Sequence, residues 1–240
     1  MRTRVGPLLA ELHAHTTWSD GDLSMRELVD LHGRNGFDVL CVTDHVVRSD
    51  DPLPGEALGV VPERYATYLT EVEAEAERAL ALYGLLVLPG LELTYNDLDP
   101  TEAAHAVAVG LRRHVSVDGG IDGAIETART AGAAIIAAHP YDAEPDVGSL
   151  RLTQRFARDP ELTALTHRCE LFNRMELFAW VADAGLPTVA CGDVHTPDHV
   201  DGWKTLLPCA RDEEAVVGYL RSRRPTYLAR LDRDERRLAA

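Results

Sequence analysis

The sequence predicts an α/β fold in which a mainly parallel sheet, covered by helices, curls into a closed or nearly closed barrel. Short apolar runs alternate with longer helical patterns from one end of the 240 residues to the other. Alternation of this kind is typical of strand–helix–strand units, and about seven such repeats are enough for a barrel. Because no linker, internal repeat or low-complexity tract interrupts the pattern, we interpret residues 1–240 as one domain.

The predicted strands are short runs rich in apolar and β-branched residues. They cover residues 8–15, 37–45, 85–94, 105–111, 133–141, 169–173 and 187–195, with two further runs at 205–209 and 225–231.

The predicted helices lie between these strands and carry recognisable ends. Ser24 is an N-cap for the first helix and Gly36 ends it, while a proline opens the second. The helices cover residues 24–36, 62–84, 121–132, 149–159, 174–185 and 212–224.

Charge and cysteine usage limit the function classes. A formal net charge of −15 disfavours binding to duplex nucleic acid, whose phosphates such a surface repels. Four widely spaced cysteines without a CxxC pair predict free thiols in a reducing compartment. We find neither a signal-peptide core nor a run of about 20 apolar residues. The sequence therefore predicts a cytoplasmic protein with no membrane partner.

Histidines gather at the ends of the predicted strands. Six of the ten histidines lie at such positions: His13, His15, His45, His105, His139 and His195. Three acidic residues accompany them, namely Asp20, Glu92 and Asp193. The histidines His32, His114 and His167 we interpret as surface or helix-end residues.

The spacing of these nine residues indicates a metal centre. Residues i and i+2 of a strand point to the same side, so His13 with His15, and Asp193 with His195, can contact one site. In a barrel, the carboxyl ends of the strands converge on one mouth. Imidazole and carboxylate ligands suit zinc, manganese or iron(II), and nine of them are too many for one ion. We therefore expect two or three ions that share a bridging carboxylate.

The alternative interpretation is that each histidine is an ordinary hydrogen-bonded core residue. For any one of the six alone this would be the better choice. Six of them converging with three acids would bury many polar groups at a cost of several kcal/mol unless a cation compensated it. The pattern as a whole therefore favours the metal centre.

The same residues carry a family resemblance. HAHTTWSDG at 13–21, TDH at 43–45, GLE at 90–92, His105, AHP at 138–140 and GDVH at 192–195 resemble the PHP (polymerase and histidinol phosphatase) superfamily. The resemblance implies a distorted seven-stranded (β/α) barrel of the TIM-like kind with a trinuclear metal site. Some family members have histidine where this chain has Asp20, and the Asp form is more similar to the stand-alone phosphoesterase branch.

The resemblance also implies how the ligands are shared. One ion would take His13, His15, Glu92 and Asp193, with Glu92 bridging. A second would take Glu92, His105 and His139, and a third Asp20, His45 and His195.

The expected activity is hydrolysis of phosphate mono- or diesters of small molecules, nucleotides or an oligonucleotide end. A hydroxide that bridges two ions would attack phosphorus in line, since metal binding lowers the pKa of water to about 7. We take His195, Asp193 and Glu92 as the candidate catalytic residues; the general acid could be His195, His199 or a metal-bound water. Asp44 and Asp142 are candidates for orienting histidines.

A phosphate substrate also needs cations near the mouth. Arg174, after the strand 169–173, is the first candidate. His199, Arg48 and Lys204 are further candidate substrate-binding residues.

Four alternatives remain open at this stage. They are a histidinol-phosphate phosphatase, a non-catalytic PHP scaffold module, a polymerase-attached proofreading exonuclease and a metal-dependent amidohydrolase. The filled ligand positions disfavour the scaffold, and the absence of sequence beyond the barrel disfavours the exonuclease. The oligomeric state is not predicted.

Overall fold

The structure, a computed structural model, describes residues 6–52, 59–142 and 153–232. Its strands are β1 (Leu8–Glu11), β2 (Val39–Val42), β3 (His45–Val47), β4 (Leu86–Tyr95), β5 (Ala104–Val109), β6 (Ala134–Ala138), β7 (Arg168–Asn173), β8 (Glu176–Leu177), β9 (Thr188–Cys191), β10 (Gly202–Leu207) and β11 (Tyr227–Leu231).

Helices lie between most of the strands. They are α1 (Met25–Arg34), α2 (Tyr65–Tyr83), α3 (Ile121–Thr130), α4 (Arg155–Arg158), α5 (Pro160–Ala164), α6 (Ala179–Asp183) and α7 (Glu213–Arg221). Short 3₁₀ turns precede α2, at Pro62–Arg64, and β10, at Pro197–Val200.

Local chemistry sets the helix ends. The Ser24 hydroxyl accepts from the backbone N–H of Glu27, and the Glu27 carboxylate accepts from the Ser24 N–H, so a capping box starts α1. Gly84, in the left-handed region at φ 68°, ends α2. Asp212 caps α7 through the N–H of Ala215.

One curved sheet forms the frame. Its order is β11-β10-β1-β2-β4-β5-β6-β7-β8, with β3 also beside β4 and β9 also beside β7. The two ends of the curve meet at β9 and β10, where the Thr205 hydroxyl donates to the Ala190 carbonyl and accepts from the Ala190 N–H. No strand ladder joins β9 to β10 among the described residues. The predicted barrel is therefore confirmed in its nearly closed form, with side-chain contacts at the seam.

Strand direction differs from the expectation of a mainly parallel sheet. β5 runs antiparallel to both β4 and β6, and β10 runs antiparallel to β1 and β11. Only residues 96–103 connect β4 to β5, and they contain no helix. A parallel crossover needs a dozen or more residues. A connection as short as this one therefore reverses the direction of the chain.

The helix predicted at 174–185 is also partly wrong. Its first residues turn back to form β8, which pairs antiparallel with β7, and only Ala179–Asp183 is helical. In the prediction at 149–159, residues 149–152 lie outside the described residues, and the rest contains the single helical turn of α4.

The core lies on both faces of the sheet. Leu40 and Val42 of β2 face the layer that contains Leu28 of α1 and Tyr68 of α2. Val39 and Cys41 of the same strand belong to a second cluster, which Val216, Tyr219 and Leu220 of α7 cover. Burial on both faces explains why the strands are apolar runs rather than alternating ones. No helix of the described residues is both long and apolar enough to cross a membrane.

Candidate metal centre

The nine predicted ligands converge at one end of the sheet. Glu92 lies within β4, and six of the others follow the end of a strand or begin β3. These six are His13, His15, His45, His139, Asp193 and His195. His105 is near the start of β5, and because β5 is antiparallel its first residues lie at the same end as the carboxyl ends of the others. Register aligns His45 with Glu92 across β3 and β4, and His105 with Thr94 across β4 and β5.

Glu92 occupies the middle of the cluster and is fully buried. Its two carboxylate oxygens lie close to five imidazoles: His13 Nε2 at 3.2 Å, His15 Nε2 at 3.4 Å, His45 Nδ1 at 2.9 Å, His105 Nδ1 at 3.2 Å and His139 Nε2 at 3.2 Å. A carboxylate in this position can contact more than one ion at once.

Asp193 and Asp20 complete the cluster on the side nearer to solvent. Asp193 Oδ1 lies 3.5 Å from His13 Nε2, 3.4 Å from His15 Nε2 and 3.3 Å from His195 Nδ1. The Asp20 carboxylate, whose side chain is 42% exposed, lies 3.7 Å from His15 Nδ1, 3.4 Å from His45 Nε2 and 3.1 Å from His195 Nε2.

Ligand-type atoms form three compact groups in which every atom lies within 4.8 Å of the others. The groups are His13–His15–Asp193, His13–Glu92–His139 and His15–Asp20–His45–His195. They resemble the three ligand sets implied by the sequence, with four differences. Glu92 is absent from the group of His13, His15 and Asp193, and His13 takes part in the group of Glu92 and His139. His15 also joins the Asp20 group, and His105 lies outside all three groups although its Nδ1 lies close to Glu92.

The cluster contains buried polar atoms that the described residues leave without a hydrogen-bond donor or acceptor. They are His13 Nε2, His15 Nε2, Glu92 Oε2 and His105 Nδ1. Such groups are expensive to bury, and all four face the space between the proposed ligands. The donor set, imidazole nitrogen with carboxylate oxygen, therefore fits divalent zinc, manganese or iron.

The close packing of these histidines and carboxylates also shifts their pKa values. Burial works against the charged form of every member, but neighbouring opposite charges dominate at most positions. Despite burial, Glu92 and the other carboxylates raise the pKa of His13 and of His45 well above the usual value. The histidines, in turn, hold the pKa of Glu92 and of Asp193 well below the usual range.

His15 behaves in the opposite way. Burial, followed by the charge of the neighbouring His45, lowers the pKa of His15 to about 3. Burial likewise lowers the pKa of His105. These two rings are therefore neutral near pH 7, which is the form that binds a metal.

Backbone strain is concentrated at the mouth. His139, Arg174 and Asp193 are the only residues other than glycine with positive φ in the described part of the chain, at 30°, 53° and 44°. Such conformations are uncommon for L-residues with a side chain and cluster at functional sites. Two of the three residues are proposed ligands, and the third contacts one of them.

Arg174 lies beside the cluster. Its guanidinium donates to the Asp193 carboxylate at 3.1 Å and to the Asp193 carbonyl at 2.9 Å, while 40% of the side chain remains exposed. His199 lies next to His195, whose backbone N–H donates to His199 Nδ1 at 3.2 Å. Arg174 and His199 line one surface cleft of about 330 Å³.

The remaining two substrate-binding candidates occupy other environments. Arg48 is engaged by Asp50 and by the carbonyl of Asn96, so it ties the loop after β3 to the loop after β4. Lys204 does not reach the mouth. Its side chain is fully buried, and its ammonium group lies 2.7 Å from the Glu11 carboxylate. The choice of Lys204 as a substrate contact is therefore wrong, because a buried, paired ammonium cannot reach a substrate.

Three further expectations about polar residues are revised. Asp44 does not contact a histidine directly; it accepts from Thr16 and from the Ser19 hydroxyl, which lies 3.4 Å from His15 Nδ1. Asp142 is exposed. His32, interpreted above as a surface or helix-end residue, lies in the last turn of α1 but is completely buried, so the surface alternative is wrong.

Glu170 is a residue of the site that the sequence interpretation missed. It lies in β7, is fully buried and contacts His13 Nδ1 at 2.9 Å. Asn96 was missed as well; its side-chain oxygen contacts His105 Nε2 at 2.8 Å. For Glu170 a signal existed, since an acidic residue in the apolar run CELFN is as unusual as Glu92 in its strand.

Comparison with known proteins gives a family match and two kinds of relative. Residues 11–145 match the PHP domain family. The DNA polymerase/3'-5' exonuclease PolX of Bacillus subtilis is 28% identical over 225 residues, a match that covers 86% of this chain and 38% of that protein. The chain thus spans well under half the length of this relative.

Solved structures share the fold. A two-domain protein from Bacteroides vulgatus containing a predicted PHP-like metal-dependent phosphoesterase superposes with a TM-score of 0.67 at 19% identity, covering 95% of this chain and 69% of that one. An amidohydrolase from Chromobacterium violaceum, solved with bound sulfate and no metal, superposes with a TM-score of 0.55 at 18% identity. The match covers 94% of this chain and 99% of that one. At these identities the likeness concerns the fold alone.

Proposed function

The chain belongs to the PHP domain family, and from that premise we propose that it is a metal-dependent phosphoesterase acting on small phosphorylated molecules, nucleotides or the end of an oligonucleotide. One observation carries the proposal. Buried ligand atoms of His13, His15 and Glu92 point at one another without hydrogen-bond partners among the described residues, an arrangement that cations would stabilise.

The proposed ligands are the nine residues of the cluster, with Glu92 shared between neighbouring ions. When bound, divalent ions supply a water that is acidic near neutral pH and positive charge for the phosphoryl oxygens. Whether two or three ions bind depends most on Asp20, since it is the most exposed member of the cluster.

Arg174 is the residue we assign to the substrate phosphate. A guanidinium presents several donors in a plane and suits phosphate oxygens. Its contact with Asp193 uses Nε and one Nη, and the exposed part of the side chain faces the cleft that it shares with His199.

His199 is the group we assign to proton transfer. The His199 Nδ1 accepts from the His195 backbone, so in the neutral ring the proton is on Nε2, which can donate to a leaving oxygen. Asp20 and Asp193 raise the pKa of His195 despite its burial, but His195 is a proposed ligand, and a ring nitrogen that binds an ion cannot deliver a proton.

The PolX relative favours one substrate class within this proposal. That protein is named a DNA polymerase and a 3'-5' exonuclease, and the similarity extends over most of this chain. A net charge of −15 opposes long contacts with a nucleic-acid backbone. We therefore propose nucleotides or a short oligonucleotide end, rather than duplex DNA, as the nucleic-acid substrates to test first.

The test is a substrate panel with protein that has been stripped of metal and reloaded with Mn²⁺, Zn²⁺ or Fe²⁺. We expect phosphate-ester cleavage that depends on the added metal and disappears in a His13→Ala variant purified in the same way. Cleavage of histidinol phosphate alone would select the narrower phosphatase activity. Cleavage of amides but of no phosphate ester would select the amidohydrolase, and an inert, fully metallated protein would select the scaffold.

A further inference from the structure

The Glu170 carboxylate lies directly behind His13, on the side of the ring away from the proposed ions. Both side chains are completely buried, and Glu170 Oε1 lies 2.9 Å from His13 Nδ1. The opposite nitrogen, His13 Nε2, faces Glu92 at 3.2 Å and Asp193 at 3.5 Å. Glu170 itself belongs to none of the three compact ligand groups.

The second oxygen of Glu170 is also fully used. Oε2 accepts from the backbone N–H of His139 at 2.7 Å and from the Asn173 side-chain amide at 2.9 Å. A carboxylate can only accept hydrogen bonds, so each of its partners must donate. His13 Nδ1 therefore carries a proton, and in the neutral ring the lone pair is on Nε2.

We propose that Glu170 is a positioning residue that holds His13 in the Nδ1–H tautomer and so makes Nε2 a metal ligand. The inference rests on the proposed metal-dependent function. Carboxylates commonly hold a ligating histidine in this way, by accepting from the ring nitrogen that does not bind the metal.

The same carboxylate acts on a second proposed ligand. His139 has φ 30°, a strained conformation that persists only when its surroundings stabilise it. The short bond from its N–H to Glu170 provides such a contact. Glu170 thus couples the ring of His13 to the backbone of His139, two residues that share one compact group with Glu92.

A Glu170→Gln variant separates tautomer control from simple filling of space. Glutamine has the same size but offers one oxygen and one NH₂ group. The His139 N–H and the Asn173 side-chain amide both donate, so the glutamine oxygen must face them. The glutamine NH₂ group then faces His13 Nδ1. Nδ1 must then accept, the proton moves to Nε2, and Nε2 can no longer bind an ion.

We expect Glu170→Gln to weaken metal binding by about ten- to hundredfold, measured by competition with a chelator of known affinity. The matched control is Glu75→Gln in α2, because Glu75 is another largely buried glutamate, hydrogen-bonded to Arg26 and Arg78 away from the centre. The control should leave metal affinity unchanged. Wild-type affinity in Glu170→Gln would overturn the inference.

A second measurement does not require the variant to fold. In the metal-loaded wild-type protein, ¹⁵N NMR of the imidazoles should show His13 protonated at Nδ1 and coordinated through Nε2. A proton on Nε2 would overturn the inference even if the protein hydrolysed phosphate esters. Conversely, a protein that binds ions in this way but hydrolyses no ester would refute the proposed function and leave the role of Glu170 intact.

Discussion

At the scale of single residues, Glu92 and Asp193 decide how the centre is charged. Both carboxylates stay ionised because histidines surround them, and both carry oxygens that contact more than one imidazole. Removing a side chain that several partners share leaves the others buried without compensation. Substitution of a proposed ligand should therefore have a much larger effect than substitution of a histidine elsewhere in the chain.

A His13→Ala or an Asp193→Ala substitution should remove bound metal and lower phosphate-ester hydrolysis by more than about a hundredfold, because each residue contributes to the most buried groups of ligands. Metal content by elemental analysis and initial rates are the measurements. His114→Ala is the matched control, since that half-buried histidine contacts the Val60 carbonyl and the Tyr65 ring and none of the proposed ligands. Full turnover in either ligand variant would count against the assignment.

Arg174→Asn tests the proposed phosphate contact. Asparagine suits this position because it tolerates the positive φ of 53° better than alanine does. We expect KM to rise about tenfold, with a smaller change in kcat, because a charged hydrogen bond to the substrate is lost. The same substitution at Arg34, an exposed arginine of α1, should change neither constant. An unchanged KM for Arg174→Asn would remove this residue from the substrate site.

At the scale of elements, the buried Glu11–Lys204 pair joins the pieces on which the ligands lie. Glu11 Oε1 accepts from the N–H groups of His13 and Gly192, and Lys204 donates to the His199 carbonyl. A Cβ atom on Gly192 would lie 2.1 Å from the Lys204 ammonium and 2.3 Å from the Glu11 carboxylate, so a larger residue there would displace the buried pair. The pair holds the end of β1 against the end of β9, close to the seam of the sheet.

Lys204→Met should lower the free energy of unfolding by about 3–5 kcal/mol, because it leaves the Glu11 carboxylate buried without its partner. Urea denaturation of the metal-free protein measures the change. The double variant Glu11→Gln with Lys204→Met removes both charges and should recover part of the loss. A loss below about 1 kcal/mol in the single variant, the size expected at an ordinary site, would show that the pair does not stabilise the seam.

At the scale of the whole molecule, the proposed metal centre should link the stability of the fold to both metal and pH. The raised pKa values belong to His13, His45, His139 and His195. A histidine whose pKa is higher in the folded than in the unfolded state stabilises the fold below about pH 6.5, and this contribution is lost as the pH rises through the folded value. Histidines with lowered pKa, such as His15, change stability only below about pH 6.5.

Metal-free protein should therefore lose thermal stability as the pH rises above about 6.5. Metal-loaded protein should show the opposite trend, because ions compete with protons for the same nitrogens and bind better as the pH rises. Melting temperatures measured as the pH rises, with chelator and with Mn²⁺ or Zn²⁺, give the two slopes. Parallel slopes would contradict the interpretation that protons and ions occupy the same centre.

Much of the fold and of the candidate site could be predicted because the signals are local. HxH and DxH place two side chains on one side of a strand, and apolar runs between helical patterns indicate a covered sheet. His105 lies beside Glu92, where a ligand is expected, although the direction of its strand was not foreseen. The substrate-binding candidates were harder to predict, as Lys204 shows. A single basic residue in a sequence does not indicate which acidic residue it pairs with in the fold.

The sequence by itself determined which residue types form the candidate centre and that a helix-covered α/β sheet carries them, because residue type and periodicity are properties of neighbouring positions. Only the tertiary structure decided that Glu170 lies behind His13 and that Lys204 is buried against Glu11. These contacts depend on which strands become neighbours across 150 residues or more, and packing of the whole chain, not local preference, makes that choice.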